Sequence, residues 1–393
     1  MNNKNLSLMN SLMFLLIITA AFSINLPIAF GSVALGLTLI CWLISGNYKK
    51  KYSLIVGNPG ALLSIALLAL YAVGVVYSSA SMAESSHYFF KYSKLLLIPI
   101  IVSALYSERY RHYIINAFLL SLIGYLLVAY LNWLGFFHFG VMRHGTYMAI
   151  GLFFMLERAK RLNHSYRVAW LILSALTVLN ILVIADVRTG LLMMFALFAF
   201  FCFEHWGRRA FVCSLGLVLL AFVLIQTIPS FKTLNPRLTH LQEELSNYKA
   251  NESERQTSAG QRLDMYRNTI KLIAGHPIFG GGTGSLRGEY AELIKEADVV
   301  VTRVTNPHNQ YLATTQDLGL VGLTVLLLFW VTHWRLSYQL SSSEDGRCFR
   351  ALILATTIGC LLNSLLLDSG DGRMYCLLAG VFLSGYKKSL RDR

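Results

Sequence analysis

Long apolar runs separated by short polar stretches fill most of the chain. A helix that crosses a bilayer core needs about 20 mainly apolar residues, with a range of roughly 17 to 25. On that measure the pattern predicts about twelve spans. They fall near Ser11 to Ser23, Leu26 to Gly46, Pro59 to Ser79, Leu95 to Tyr106, Tyr113 to Gly135 and Thr146 to Leu156, then Val168 to Ala185, Gly190 to Phe203, Ala210 to Pro229, Gly319 to Trp334, Phe349 to Leu367 and Met374 to Gly385. The fold class is an all-α polytopic membrane protein. The first run follows Lys4 and reads as an uncleaved first helix, since another span follows at once.

One segment breaks the pattern. Ser230 to Leu318 is too long and too polar for a connector, so it must fold or cap something. It divides the chain into helices 1–229, a helical outer domain 230–318 and helices 319–393. Within it Leu238, Leu241, Leu245 and Tyr248 share one helical face, and Leu263, Tyr266, Ile270 and Ile273 share another. The second of these helices starts after Ser258 and stops at Gly275, ahead of Pro277. Gly280-Gly281-Gly282-Thr283-Gly284 forms a turn whose backbone can take positive φ, and a third helix runs from Ser285 to Ala297. No internal repeat or low-complexity tract is visible.

Composition agrees: 55% of the 393 residues are hydrophobic and 14% charged, against about 25% charged in soluble proteins. Soluble, disordered, collagenous and disulfide-scaffold classes are excluded. The net charge of +14 raises the question of nucleic acid, but the basic residues sit in short clusters between apolar runs, such as Lys49 to Lys51, Arg158, Lys160 and Arg161, and Arg208 and Arg209. Such clusters mark loops kept in the cytoplasm, which puts both termini inside and the long segment outside. That segment balances ten basic with ten acidic residues and is no polycationic arm. The six cysteines, Cys41, Cys202, Cys213, Cys348, Cys360 and Cys376, lie in apolar runs or an inner loop, which argues against disulfide stapling.

Candidate chemistry gathers on the outer side. Arg188 lies in Asp186-Val187-Arg188-Thr189, an outward hairpin between two apolar runs. Its plain alternative is an interfacial anchor paired with Asp186, yet a lone arginine there opposes the charge rule and marks a functional candidate. Arg262 and Arg267 stand about 140° apart on the helix after Ser258, so one site cannot easily take both. Arg262, beside the apolar face, is the one that reaches inward. His308 follows Asn306 and Pro307, read as an N-cap and a first helical residue, which puts the histidine in the first turn of a helix. There the helix dipole disfavours imidazolium and keeps the ring able to accept a proton; a surface or capping histidine is the alternative. Arg143 and His144 in one outward loop, Asn309 beside His308, and Arg373 with Asp368 and Asp371 complete the candidates for a polar rim. The glycine cluster lacks a P-loop lysine and reads as a turn closing the outer domain. HExxH, Cys/His clusters and tight carboxylate sets are absent, so the expected chemistry uses no metal and no cofactor.

Arg188 to Leu192 reads R(x3)L and His308 to Gly319 reads H(x10)G; Arg262 precedes His276-Pro277-Ile278-Phe279-Gly280, and Pro307-His308-Asn309 precedes Gly319-Leu320-Val321-Gly322. This pattern resembles the O-antigen ligase family, membrane glycosyltransferases with a GT-C-like architecture. The resemblance implies transfer of an O-antigen glycan from undecaprenyl pyrophosphate to the lipid A core at the outer face of a Gram-negative inner membrane. It also implies that Arg188 and Arg262 bind the pyrophosphate and that His308 is the general base of a metal-independent, inverting step. The partners it implies are the lipid-linked donor, the lipid A core acceptor and membrane lipids, with no nucleic acid. O-antigen polymerases and protein O-oligosaccharyltransferases share the superfamily features. A transporter would show midplane polar residues and often inverted repeats, neither of which is seen.

Overall fold

Inside a bilayer a backbone can satisfy its own hydrogen bonds only as a helix or a closed barrel, and this chain takes the helix. The computed structural model describes residues 3–105, 108–136, 145–185, 187–227, 258–295 and 304–386. Among them no strand forms beyond a single bridge between Leu340 and Tyr386. In chain order the helices are α1 (Asn3–Phe22), α2 (Ile28–Ile44), α3 (Tyr48–Val56), α4 (Pro59–Val76), α5 (Met82–Tyr92), α6 (Leu97–Ala104), α7 (Glu108–Trp133) and α8 (Gly145–Arg161). There follow α9 (His164–Leu179), α10 (Arg188–Thr227), α11 (Ser258–Gly275), α12 (Leu286–Leu293), α13 (Gln310–Ser337), α14 (Ser343–Gly359) and α15 (Asp371–Leu383).

Six of these helices are long and apolar enough to cross a membrane, or seven if the pair α2 and α3, bent by 116°, counts as one span. The other apolar runs fold into shorter helices, among them α6, α8, α14 and α15. The run Gly190 to Phe203 and the described part of the run that starts at Ala210 join in α10, which breaks at Gly207 (φ 78°). The rings of Phe203 and Phe211 lie 5.9 Å apart, where an unbroken helix would separate them by about 12 Å along its axis. The chain therefore folds back on itself at Gly207. All six cysteines are unpaired thiols.

Local sequence sets two of the helix starts. Asn58 caps α4 through Ala61 N–H, with Pro59 at the first helical position, and Ser342 caps α14 through Asp345 N–H. α8 packs against α9 and α10, α4 against α13, and α15 against α6. The resulting core is continuous and rich in phenylalanine and tyrosine, with Phe118, Phe153, Phe154, Phe349 and Phe382 at its centre.

In the long polar segment α11 spans the stretch expected from Ser258 to Gly275. The third helix, expected from Ser285 to Ala297, is the shorter α12. The face read for α11 is offset. Met265, Asn268 and Thr269 are buried, while Ile270 is 55% exposed. A small separate core of Met265, Leu286, Tyr290 and Val304 claims that buried side, because α12 packs there. The face with Leu238, Leu241, Leu245 and Tyr248 lies outside the described residues.

Candidate active site

α13 begins one turn later than Asn306-Pro307 implies. Asn309 is its N-cap, and its side-chain oxygen accepts from Tyr311 N–H at 3.0 Å and Leu312 N–H at 3.1 Å. His308 thus stands just outside the helix and not in its first turn, with φ of 52°. Asn306 is otherwise engaged: its Oδ1 accepts from His308 N–H at 2.9 Å and from the Ser364 hydroxyl at 2.6 Å. Among the described residues only His308 and Asn47 combine a side chain with positive φ. Such a conformation costs energy and tends to persist where surroundings over-determine it, often at functional sites.

What over-determines it is the turn 359–364 after α14. His308 Nδ1 lies 3.0 Å from Asn363 Oδ1. The Tyr266 hydroxyl, from α11, lies 3.1 Å from the His308 carbonyl oxygen and 3.0 Å from that of Leu361. Asn309 Nδ2 donates to Leu361 O at 3.1 Å, and Gln310 N–H to Cys360 O at 2.8 Å. Gln310 is fully buried and fully used: its Nε2 donates to Tyr92 and Thr314, and its Oε1 accepts from Leu366 and Leu367 N–H.

The two arginines stand on other elements that reach the same turn. Arg262 is half-buried one helical turn before Tyr266 on α11, while Arg267 is exposed. Burial raises the Tyr266 phenol above its usual pKa, and the Arg262 charge and an Asn309 hydrogen bond oppose the rise. Arg188 is half-buried at the first residue of α10. Its neighbour Thr189 lies against Gly359, where a methyl group would sit 3.6 Å from Thr189 Cγ2. Gly190 seats this helix start on α8, since a methyl on it would meet the Gly145 backbone at 2.6 Å. The elements that carry Arg188, Arg262 and His308 therefore meet at one turn, through Thr189, Tyr266 and His308 itself, although no sequence motif pointed to residues 359–364.

The remaining candidates divide. Arg143, His144 and Asp186 lie outside the described residues. Arg373 turns away from the rim: its Nη1 donates to Ile28 O at 2.9 Å and Ser32 Oγ at 3.0 Å, which fastens α2. Asp371 accepts from Thr146 Oγ1 at 2.7 Å, and Lys94 donates to Leu367 O at 3.1 Å. Burial pushes the Asp371 carboxyl up to about 7 and the Lys94 amine down to about 8. Among the described residues no three His, Cys, Asp or Glu side chains are grouped to hold a metal ion.

The glycine cluster is a splice and not a simple hairpin turn. α13 breaks at Gly319 (φ 64°), which frees carbonyls above the break and amides below it. Gly281 and Gly282 N–H donate to Gln316 O and Asp317 O at 2.9 and 3.0 Å, and Leu320 and Val321 N–H donate to Pro277 O and Ile278 O at 2.8 and 3.2 Å. A methyl on Gly319 would lie 2.2 Å from Ile278, so the two backbones meet only because no side chain intervenes. Thr283 continues the splice to α4, donating from N–H to Gly74 O and from Oγ1 to Tyr71 O. The glycine at the end of H(x10)G thus places the segment that follows His308.

Comparison with known proteins fits this architecture. Residues 173–327 match the model of a family described as O-antigen ligase. The O-antigen ligase match contains Arg188, Arg262, His308 and Gly319, and ends before Asn363. It agrees with the resemblance read from the two spaced motifs, and the apolar helices make the chain a multi-pass membrane protein. A Haemophilus influenzae protein described as uncharacterized is 26% identical over 145 residues, which is 36% of this chain and 36% of that relative. The chain therefore matches little more than a third of that relative's length.

Proposed function

We propose that the protein is an O-antigen ligase, transferring a glycan from a polyprenyl pyrophosphate carrier to the lipid A core oligosaccharide outside the inner membrane. The acceptor hydroxyl gives its proton to His308 Nε2 as its oxygen attacks the anomeric carbon. The bond from that carbon to the pyrophosphate oxygen breaks in the same step, so configuration inverts. Arg188 and Arg262 receive the charge that develops on the leaving pyrophosphate, a task for which the guanidinium fork is suited and which in this reading needs no metal. The proton on His308 then returns to solvent or product.

One observation carries this reading. Asn363 Oδ1 accepts from Ser364 N–H at 3.0 Å as well as facing His308 Nδ1, so the atom facing the ring is the amide oxygen and Nδ1 must donate. Nε2 is then the basic nitrogen, and among the described residues no group occupies it. A base needs such a free, oriented lone pair. The test supplies purified protein with a lipid-linked glycan and rough lipopolysaccharide. Glycan appearing on lipopolysaccharide supports the ligase. Glycan extended on its carrier with none on lipopolysaccharide would assign a polymerase instead.

A further inference from the structure

The opposite ends of the same helices hold a second polar centre that the transfer reaction does not use. A cavity of about 610 Å³ opens between the last turn of α8, the first half of α10 near its break and the start of α14. Glu157, Lys160, Arg161, His205, Glu344 and Arg347 line it. Glu157 is paired with Arg347 at 2.9 Å and with His205 Nε2 at 2.6 Å, and Glu344 with Arg161 at 2.8 Å and Arg158 at 3.3 Å. Both carboxylates are therefore already held by two partners each.

Lys160 is the cation left over. Its Nζ lies 2.6 Å from His205 Nδ1 and 5.5 Å from the Trp206 ring, and no carboxylate among the described residues meets it. An ammonium only donates, so Nδ1 accepts, the ring is neutral and Nε2–H points to Glu157. The positive charge of Lys160 and the outer N–H groups of Arg161, whose side chain is 63% exposed, face the opening.

Just beyond this cavity the protein surface turns apolar. A groove of about 500 Å³ runs between α8, α9 and both halves of α10, lined by Leu156, Leu171, Phe198 and Leu217 among others. Leu156 and Lys160 are four residues apart, hence on one face of α8 a single turn apart. Phe198 and His205, seven apart, share a face of α10 in the same way. Phe201 stands between them, its ring 4.4 Å from His205 and 5.7 Å from Phe153. The arrangement is a cationic head seat beside a hydrocarbon slot, the order in which a membrane lipid presents its phosphate and its acyl chain.

We propose that this is a binding site for an anionic phospholipid of the leaflet opposite His308, its phosphate on Lys160 and Arg161 and one acyl chain in the groove between α8 and α10. Basic pockets between membrane helices on the cytoplasmic side suit such head groups. The lipid joins the break at Gly207 to α8 and α14, and so braces the helices whose far ends carry Arg188 and the turn 359–364. The site stands apart from the glycan transfer reading and holds whether or not that reading does.

The test is lipid retention by the full-length protein in detergent, read by native mass spectrometry with phosphatidylglycerol, phosphatidylcholine and inorganic phosphate as separate probes. Phosphatidylglycerol is expected to be retained over phosphatidylcholine, and Lys160→Gln and Arg161→Gln each to weaken it roughly fivefold. Leu156→Trp, which narrows the slot and leaves the charges alone, is expected to lower retention of the lipid but not of inorganic phosphate. Equal retention of the two lipids, or retention unchanged in Lys160→Gln, overturns the head seat. Inorganic phosphate that displaces the lipid fully while Leu156→Trp has no effect makes this a free anion site and overturns the acyl slot. Lys160 has only a neutral partner, so its variant keeps the test open if the Arg161 variant fails to fold.

Discussion

His308 Nδ1 and Asn363 Oδ1 stand 3.0 Å apart, joining a residue before α13 to the turn after α14. The contact sets both the tautomer and the direction of the ring, as a partner on the far nitrogen does in acid–base catalysis generally. Loss of the base itself in His308→Ala should lower kcat by roughly 10²- to 10⁴-fold without loss of membrane insertion. Asn363→Asp is more telling. A carboxylate on Nδ1 favours imidazolium, which raises the pKa of the base and moves the acidic limb of the pH–kcat profile to higher pH. A profile identical to wild type would separate His308 from proton transfer.

Arg188→Lys should be nearly as damaging as Arg188→Ala, because a single ammonium cannot reproduce two parallel N–H donors on a diphosphate. A loss on the order of 10²- to 10³-fold in kcat is the scale of removing one such stabilising donor. Arg262→Lys is expected to follow, while Arg267→Ala, on the exposed side of α11, should leave turnover intact. Steady-state transfer assays on the three variants decide the matter; an active Arg188→Lys enzyme removes the clamp.

The hydropathy pattern made the helical class legible and singled out Arg188 as an ionisable group between two apolar runs, whereas Arg262 and His308 lie in the polar segment and were read from their helix placement. Two things stayed hidden for physical reasons. The cap of α13 was misread because Asn306 and Asn309 both precede it, and only tertiary contacts show that Ser364 and the His308 amide consume the first. The turn holding Asn363 carried no local signal, since its importance comes from residues 55 positions away meeting it in space.

Gly319→Ala should destabilise the fold severely. The added methyl meets Ile278 at 2.2 Å and the backbone holds φ of 64°, so clash and strain act together, while four splice hydrogen bonds keep either strand from moving aside. Gly280→Ala should behave alike, with Asp317, Leu318 and Gly319 backbone atoms at 2.6 Å. Gly288→Ala is the control. It lies within α12 with nothing inside 4 Å, so the methyl is tolerated and helix propensity gains a few tenths to about 1 kcal/mol. Thermal unfolding of the detergent-solubilised proteins should rank the control at or above wild type and the other two far below; a wild-type melting temperature for Gly319→Ala would refute the splice.

Asp371 and Lys94, ahead of the apolar runs that follow them, should give stability an uneven pH dependence. The Asp371 carboxyl, held up to about 7 by burial, keeps its proton in the folded state over a range where the unfolded chain has lost it. The folded state binds more protons from about pH 4 to about pH 7, so stability falls as pH rises through that window. Lys94 works in the opposite sense: lowered to about 8, it is neutral in the folded chain while the unfolded chain stays charged up to about pH 10. Stability from this group therefore rises above pH 8, which leaves a minimum between the two values. Asp371→Asn preserves the shape and can still accept from Thr146 Oγ1 but cannot ionise. Its melting temperature should change less between pH 5 and pH 8 than that of wild type, and should exceed wild type at pH 8. An unchanged slope in the variant would mean that Asp371 is ionised throughout, and that the Thr146 contact and Lys94 together outweigh its burial.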